Sequence, residues 1–130
     1  RENFAERVME LTDGEGVPVV YDGVGASVHD GSLACLARFG SYVNFGAASG
    51  HIPPVPGTAL AARALYFTRP GLAPHTATRD LTLEIANYLF DAVRESVKIE
   101  INHIYELHNA VEAHRALETR ATTGSTVFSI

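Results

Sequence analysis

The sequence predicts an α/β fold in which short parallel strands alternate with helices. Residues Val17 to Tyr21 form a continuous apolar run rich in β-branched side chains, which is typical of a strand covered on both faces. A helical pattern follows, and Ser41 to Phe45 form a second short strand-like run. This strand, helix, strand order is that of a right-handed crossover between parallel neighbours. We therefore expect a three-layer fold around a parallel sheet.

Composition and charge argue against several classes of partner. The chain has 130 residues, 46% of them hydrophobic and 19% charged, which is ordinary for one compact domain. Its net charge of -5, without a Lys/Arg-rich run, gives no basis for binding nucleic acid or an anionic membrane. No apolar stretch reaches the roughly 18 residues of a membrane span, and the first residues lack the layout of a signal peptide. Cys35 is the single cysteine, so we expect no disulfide within the chain and a cytoplasmic location.

The first half of the chain predicts two helices beside those strands. Apolar residues from Phe4 to Leu11 recur at helical spacing, and the turn residues Thr12 to Gly16 then end that helix. The second helix is expected from about Ser27 to Phe39, since Ser27 and Asp30 have the spacing of a helix start and Gly40 is a typical helix end.

A proline-rich segment, His51 to Gly57, should be irregular, and a helical turn near Leu60 to Arg63 leads into a third strand, Ala64 to Thr68. No later segment is an obvious parallel neighbour of that strand, so we expect it at a sheet edge. An open edge of this kind invites pairing with another chain. The alternative is that the segment His51 to Gly57 folds over the edge and covers it.

The second half of the chain predicts a long amphipathic helix. Its apolar residues repeat at helical spacing from Leu81 to Val93, behind a Thr78 cap. The remaining elements are a strand from Ile99 to Tyr105, a helix capped by Asn109 with Glu112 at the capping-box position, and a strand from Thr126 to Ile130.

Ligands of open parallel sheets bind outside the carboxyl ends of the strands. Three clusters occupy that position: Asp22 to Gly25, Phe45 to Gly50 and Phe67 to Pro70. Two of them are rich in glycine and alanine, which lets a ligand approach the backbone closely. The alternative is that small residues here only make tight turns. Asp22 also has two interpretations, because it could orient a ribose or a base, or hydrogen-bond the backbone of the next turn.

Three familiar motifs are not met. Residues 23–28 begin like the dinucleotide fingerprint G-x-G-x-x-G but end in Val28, without an acidic residue at the expected distance. The segment Gly46 to Gly50 has its serine in the wrong place for a nucleophile elbow, so a serine hydrolase is not expected. The six histidines never take the i, i+4 spacing with an intervening glutamate, and we expect no metal site.

Taken together, these clusters resemble the second half of the zinc-independent NADPH:quinone oxidoreductases, the zeta-crystallin-like group of the medium-chain dehydrogenase/reductase superfamily. The resemblance spans nearly the whole chain, and the order and spacing of its segments are more specific than any one of them. The segments are Val19 to Gly25, Ser32 to Leu36, Val43 to Gly50, Leu65 to Pro70 and Ala113 to Gly124.

The resemblance implies the later part of a Rossmann-like fold. Residues 1–97 would form the second half of an NADP-binding domain, and residues 98–130 a carboxy-terminal segment returning to a catalytic domain that lies upstream. Such enzymes transfer a hydride from NADPH to a quinone-like acceptor. In those enzymes the strand that matches Ala64 to Thr68 pairs with the same strand of a second subunit across a two-fold axis. The resemblance therefore implies a homodimer.

The resemblance also assigns cofactor-binding residues. The loop Phe45 to Ala48 would pass beside the nicotinamide ribose, the strand end Phe67 to Arg69 would meet the carboxamide, and Gly23 to Gly25 would lie near the adenosine. Arg120 would approach the cofactor from the carboxy-terminal segment. The expected cofactor-binding residues are Gly23, Val24, Gly25, Phe45, Gly46, Ala47, Ala48, Phe67, Thr68, Arg69 and Arg120, and the catalytic residues are unknown.

Two alternatives stay open: a zinc-dependent alcohol dehydrogenase or enoyl reductase of the same superfamily, and a catalytically inert structural or binding domain. The family's glycine-rich phosphate turn is not among these residues, so we expect the chain by itself to be inactive and to bind NADPH weakly. In the whole enzyme we expect Gly46→Val to impair cofactor binding more than folding.

Overall fold

The computed structural model describes residues 2–130 and divides into two compact units, the first ending at Pro74 and the second running from His75 to Ile130. None of the described helices is long and apolar enough to cross a bilayer. The predicted division between residues 97 and 98 concerns how the chain would join a larger enzyme, and it stays a prediction.

The first unit is built on a three-stranded parallel sheet in the order β1-β2-β3. This arrangement confirms the predicted α/β class. Its elements are α1 (Phe4–Leu11), β1 (Val17–Asp22), α2 (His29–Ala34), β2 (Leu36–Asn44), α3 (Gly57–Ala61), β3 (Tyr66–Thr68) and α4 (Leu72–His75), which crosses into the second unit.

The register of the sheet brings the ends of its strands side by side. Asp22, the last residue of β1, is the cross-strand partner of Asn44, the last residue of β2. On the other side of β2, Val43 pairs with Thr68 at the end of β3. β3 lies at an edge of this sheet, as predicted. The loops that follow all three strands therefore begin along one edge.

The second helix is shorter than predicted. It ends at Ala34 instead of Phe39, and β2 already begins at Leu36. Its N-cap residue is Val28, without a side-chain cap, so the predicted start at Ser27 with Asp30 is wrong. The backbone N–H of Ser27 donates instead to the hydroxyl of Ser49, 3.0 Å away.

A distant arginine explains where α2 ends. The guanidinium of Arg63 donates hydrogen bonds to the carbonyl oxygens of Leu33, Ala34 and Leu36. The last carbonyls of a helix lack intrahelical partners, and here a side chain about thirty residues away supplies them. The carbonyl of Cys35, directly after α2, accepts from the N–H of Val17 at 2.9 Å. The sequence pattern around α2 gives no sign of either contact, so the predicted helix was too long.

The core of the first unit lies against β2. Leu36, Tyr42 and Leu65 are buried there, and partly buried side chains pack around them. Those neighbours are Val20, Leu33, Ile52, Leu60 and Phe67. Ile52 belongs to the proline-rich segment, so part of that segment packs on the core. Burial of this kind stabilises the sheet by roughly 25 cal/mol per Å² of apolar surface.

The second unit contains a long helix and a two-stranded parallel sheet. Its elements are α5 (Arg79–Glu95), β4 (Ile101–Glu106), a 3₁₀ turn (Leu107–Asn109), α6 (Ala110–Glu118) and β5 (Ser125–Ser129), and β4 pairs with β5. The Thr78 hydroxyl accepts from the Leu81 N–H at 3.3 Å, which confirms the predicted cap of α5. Asn109 precedes α6 without a side-chain cap, because its φ of -94° and ψ of 18° are not the extended conformation that a capping box needs.

Few side chains of the second unit are buried. Ala113 is the one apolar residue of this unit among the described buried positions, and α5 has none. Tyr88 on α5 is 80% exposed, and Leu89 beside it is 55% exposed. The amphipathic pattern of α5 therefore predicted the helix correctly without indicating what covers its apolar face.

Candidate functional site

The loops after β1 and β2 are joined to one another. The Ser49 N–H donates to the Val24 carbonyl at 2.7 Å, and the Ala26 N–H donates to the Gly50 carbonyl at 3.0 Å. The Ser49 hydroxyl also donates to Val24, at 2.8 Å, while accepting from Ser27. Both loops are thus held by backbone bonds, and the Ser49 hydroxyl serves as a bridge between them.

Glycine lets these loops approach closely. Gly25 has a φ of 90°, in the left-handed region, and a Cβ there would lie 3.0 Å from the Cα of Ala47. A Cβ on Gly46 would lie 2.8 Å from the Cα of Gly23. The backbone of Gly23 already fills the space beside Gly46, so a valine there should also disturb the packing of the two loops. That Gly46→Val impairs cofactor binding more than folding stays a prediction.

A buried polar cluster supports this edge of the sheet. The Asp22 carboxylate, 3% exposed, accepts from the Val24 and Gly25 N–H groups at 2.7 and 2.9 Å through Oδ1. Its Oδ2 accepts from the Tyr42 hydroxyl at 2.6 Å and from the Asn44 amide at 2.9 Å. Buried carboxylates need such partners, because an uncompensated charge is costly away from water. The second interpretation of Asp22 is thus the one observed, since its carboxylate holds the next turn.

These bonds change the acidity of the cluster. Burial alone would raise the pKa of Asp22, but the hydrogen bonds from Tyr42, Gly25, Val24 and Asn44 together hold it below its usual value. Burial and the neighbouring carboxylate raise the pKa of the Tyr42 hydroxyl far above its usual range. Asp22 is therefore ionised and Tyr42 neutral near pH 7.

Sequence patterns did not single out Tyr42 and Asn44 as site residues, although a signal was present. Side chains two apart in a strand share one face. Tyr42 and Asn44 are polar residues two apart in β2, and both are fully buried. Buried His29 lies nearby, with its Nδ1 3.4 Å from the Tyr42 hydroxyl. Buried polar side chains need hydrogen-bond partners, and Asp22 at the end of β1 is the partner of both Tyr42 and Asn44.

Several predicted site residues are accessible above this cluster. Phe45 is 58% exposed, and a Cβ on Gly23 would lie only 3.0 Å from its ring. The Arg69 guanidinium donates to the Asn44 side-chain oxygen. Val24, Ala48 and Thr68 are also exposed. An aromatic ring, a small-residue loop and a guanidinium thus share one edge of the sheet.

Two predicted residues are placed differently. The Phe67 ring packs on Tyr42 with the ring centroids 5.4 Å apart, so most of its contact is with the core. Arg120 belongs to the second unit, just after α6, where it is exposed with a φ of 58°. A non-glycine residue in that conformation costs about 1 kcal/mol. Its part in a site with the first unit stays a prediction.

Among residues 2–130, no group of three or more histidine, cysteine, aspartate or glutamate side chains is arranged to hold a metal ion. Cys35 is a buried free thiol. The strand ends present the hydrogen-bonding groups of the loops, the Phe45 ring and the Arg69 guanidinium, above the buried carboxylate of Asp22.

Comparison with known proteins identifies relatives of the whole chain. It is 44% identical over 129 residues to a quinone oxidoreductase of Pseudomonas aeruginosa, an alignment that covers 98% of this chain and 40% of that protein. The chain thus spans less than half the length of this relative. The predicted resemblance to quinone oxidoreductases is confirmed.

Solved structures agree. A mycobacterial protein in complex with NADPH matches with a TM-score of 0.86 and 46% identity, over 97% of this chain and 40% of that one. The Escherichia coli quinone oxidoreductase in complex with NADPH matches with a TM-score of 0.86 and 38% identity, over 99% of this chain and 41% of that one. Residues 1–128 match the protein family described as zinc-binding dehydrogenase. The chain belongs to that family.

Proposed function

We propose that the protein is an NADPH-dependent quinone oxidoreductase, and that the loops after β1, β2 and β3 hold the nicotinamide half of the cofactor. The observation that carries this proposal is the shared edge where exposed Phe45 and Arg69 flank small-residue loops, which is where open parallel sheets bind ligands. Relatives with 38% and 46% identity were solved with NADPH, which supports the choice of cofactor.

The residues fit the chemistry of that cofactor. The flat nicotinamide ring and its ribose need a surface of small residues with an aromatic side chain, and the carboxamide needs a hydrogen-bond donor. We assign the ribose to Phe45 to Ala48, the carboxamide to Thr68 and Arg69 at the end of β3, and the adenosine side to Gly23 to Gly25. Arg120 would join from the carboxy-terminal segment.

NADPH supplies the hydride, and a quinone-like acceptor receives it. The contribution of this chain is to orient the nicotinamide and to keep the ring in one geometry, because a rigid, preorganised site lowers the entropic part of the barrier. The joined loops after β1 and β2 suit that role. The acid, the base and the phosphate-binding turn are not assigned within this chain.

The family description names zinc, and residues 2–130 offer no set of side chains arranged to hold it. The roles proposed for this chain therefore belong to its loops and to the Arg69 guanidinium, which act on the cofactor.

The test uses the full-length protein. Its consumption of NADPH should be measured with a simple benzoquinone, and Arg69→Ala should raise the Michaelis constant for NADPH about tenfold, equal to about 1.4 kcal/mol. The matched control is Arg94→Ala, which removes an exposed arginine that pairs with Asp91 on α5. A wild-type protein that neither binds nor consumes NADPH would contradict the proposal. Oxidation of alcohols in place of quinone reduction would favour the alcohol dehydrogenase alternative.

We also propose a homodimer through the edge strand β3. Tyr66, the first residue of β3, is 63% exposed, and Arg69 with Pro70 follow the strand and limit pairing at its far end. Pairing across a two-fold axis would satisfy the open backbone groups of both copies.

Light scattering of the full-length protein tests the dimer. Tyr66→Lys should produce a monomer, and it is a cleaner change than one at Phe67, whose ring packs on Tyr42. The control is Tyr88→Lys, at an 80% exposed position on α5, which should stay dimeric. A monomeric wild type, or a dimeric Tyr66→Lys variant, would refute the interface.

A cytoplasmic location is part of the same proposal, and the buried free thiol of Cys35 is compatible with it.

A further inference from the structure

The orientation of the Asn44 amide is fixed by its surroundings. Its Nδ2 donates to the Asp22 carboxylate at 2.9 Å and to the Gly46 carbonyl at 3.0 Å, and a carboxylate and a carbonyl can only accept. The nitrogen must therefore face these two groups. The amide oxygen is left facing the other way, toward Arg69, whose guanidinium donates to it.

This amide is also enclosed. Asn44 is fully buried, and the carboxylate that it contacts is held in turn by Tyr42 and by the backbone of Val24 and Gly25. A hydrogen-bonded chain thus runs from the buried carboxylate of β1, through the amide of β2, to the exposed guanidinium that follows β3. The buried groups at the ends of β1 and β2 therefore set the position of the guanidinium that follows β3.

We propose that Asn44 is a positioning residue that holds the Arg69 guanidinium ready for the carboxamide of the nicotinamide ring. This inference rests on the proposed function and extends it to a residue that would not touch the cofactor. A guanidinium is a planar fork of five N–H donors, so binding of one arm by Asn44 fixes the direction of the others. A long, exposed side chain without this contact would have to be ordered each time the cofactor bound.

The test compares two ligands on the full-length protein. Dissociation constants should be measured by calorimetry for NADPH and for 2′,5′-ADP, which carries the adenosine end of the cofactor without nicotinamide. Asn44→Ala should weaken NADPH binding about fivefold to tenfold, the cost of ordering one long side chain. It should leave the affinity for 2′,5′-ADP unchanged, whereas general damage to the fold would weaken both ligands.

A double-mutant cycle identifies the intermediary. Arg69→Ala should lose at least as much NADPH affinity as Asn44→Ala, and the double variant should lose no more than Arg69→Ala alone. If Asn44→Ala weakens NADPH equally when Arg69 is already absent, its effect does not pass through the guanidinium and the proposal is overturned. Leu36→Val is the stability control, because Leu36 lies in the core at the opposite end of β2 from Asn44.

Arg69→Lys keeps the test decisive if Asn44→Ala fails to fold. An ammonium bound to Asn44 has no second planar arm for the carboxamide, so Arg69→Lys should lose most of the NADPH affinity that Arg69→Ala loses. Full retention by Arg69→Lys would show that charge alone suffices and would overturn the positioning role. A wild-type protein that binds no NADPH would overturn the proposed function itself, an outcome that the wild-type titration separates from all the others.

Discussion

The first unit buries a carboxylate, an amide and a phenol in its interior, whereas the second leaves the apolar face of its longest helix accessible to solvent. Asp22, Tyr42 and Asn44 are at most 3% exposed, but Tyr88 on α5 is 80% exposed. A site that must hold a ligand in one geometry needs a supporting layer that does not move. The first unit has such a layer of its own, directly beneath the strand ends at which we propose that the nicotinamide binds.

The largest effect should come from the buried carboxylate. Asp22→Ala would leave four hydrogen-bond donors without their acceptor, and we expect it to lower the free energy of unfolding by about 3 to 5 kcal/mol. Urea denaturation measures the loss. Glu15→Gln is the control, since this exposed carboxylate of the same unit should change stability by less than about 0.5 kcal/mol. Equal losses for the two variants would mean that the cluster contributes no special stability.

The contrast between the two units can be tested with one substitution type. Leu36→Ala removes a side chain that is 1% exposed and should cost about 3 kcal/mol. Leu89→Ala removes a side chain that is 55% exposed and should cost less than about 1 kcal/mol in the 130-residue chain. A larger loss at Leu89 than at Leu36 would reverse the comparison.

Two glycines of the first unit should respond in opposite directions. Gly46→Ala would press a methyl group against the backbone of Gly23 and should destabilise the protein by about 1 to 3 kcal/mol. Gly57→Ala, at the start of α3, meets nothing within 4 Å and should stabilise by about 0.4 to 1 kcal/mol. Thermal melting of both variants checks the pair, and a neutral Gly46→Ala would show that the two loops can move apart.

The smallest expected effect is on the pH dependence of stability. Because the folded-state pKa of Asp22 lies below its usual 3.8, its contribution is fully present above that value and is lost as the pH falls through the folded-state pKa. Wild type should therefore lose stability below about pH 4 more steeply than Asp22→Asn does. Parallel urea titrations across this range measure the difference, and identical slopes would argue that Asp22 is not stabilised in its ionised form.

Local patterns predicted the elements whose stability is local. The cap of α5 by Thr78 needs only neighbouring residues, and the sequence was sufficient to find it. The end of α2 depends on Arg63, far along the chain, and was therefore placed wrongly. The positions of the three loops followed from strand order alone. The polar cluster beneath them depends on the register between β1 and β2, which pairs Asp22 with Asn44. A pattern read along a short stretch of sequence does not reveal that pairing.

The bonds that join the loops after β1 and β2 run through main-chain atoms at several positions. Val24 contributes its N–H to Asp22 and its carbonyl to Ser49, while its side chain is 41% exposed. Ala48 is likewise exposed, and its N–H lies 3.4 Å from the Gly23 carbonyl. Folding at these two positions depends little on the identity of the side chain. A library randomised at both positions should therefore remain largely folded, and the variation that it tolerates would fall on the surface proposed to contact the cofactor.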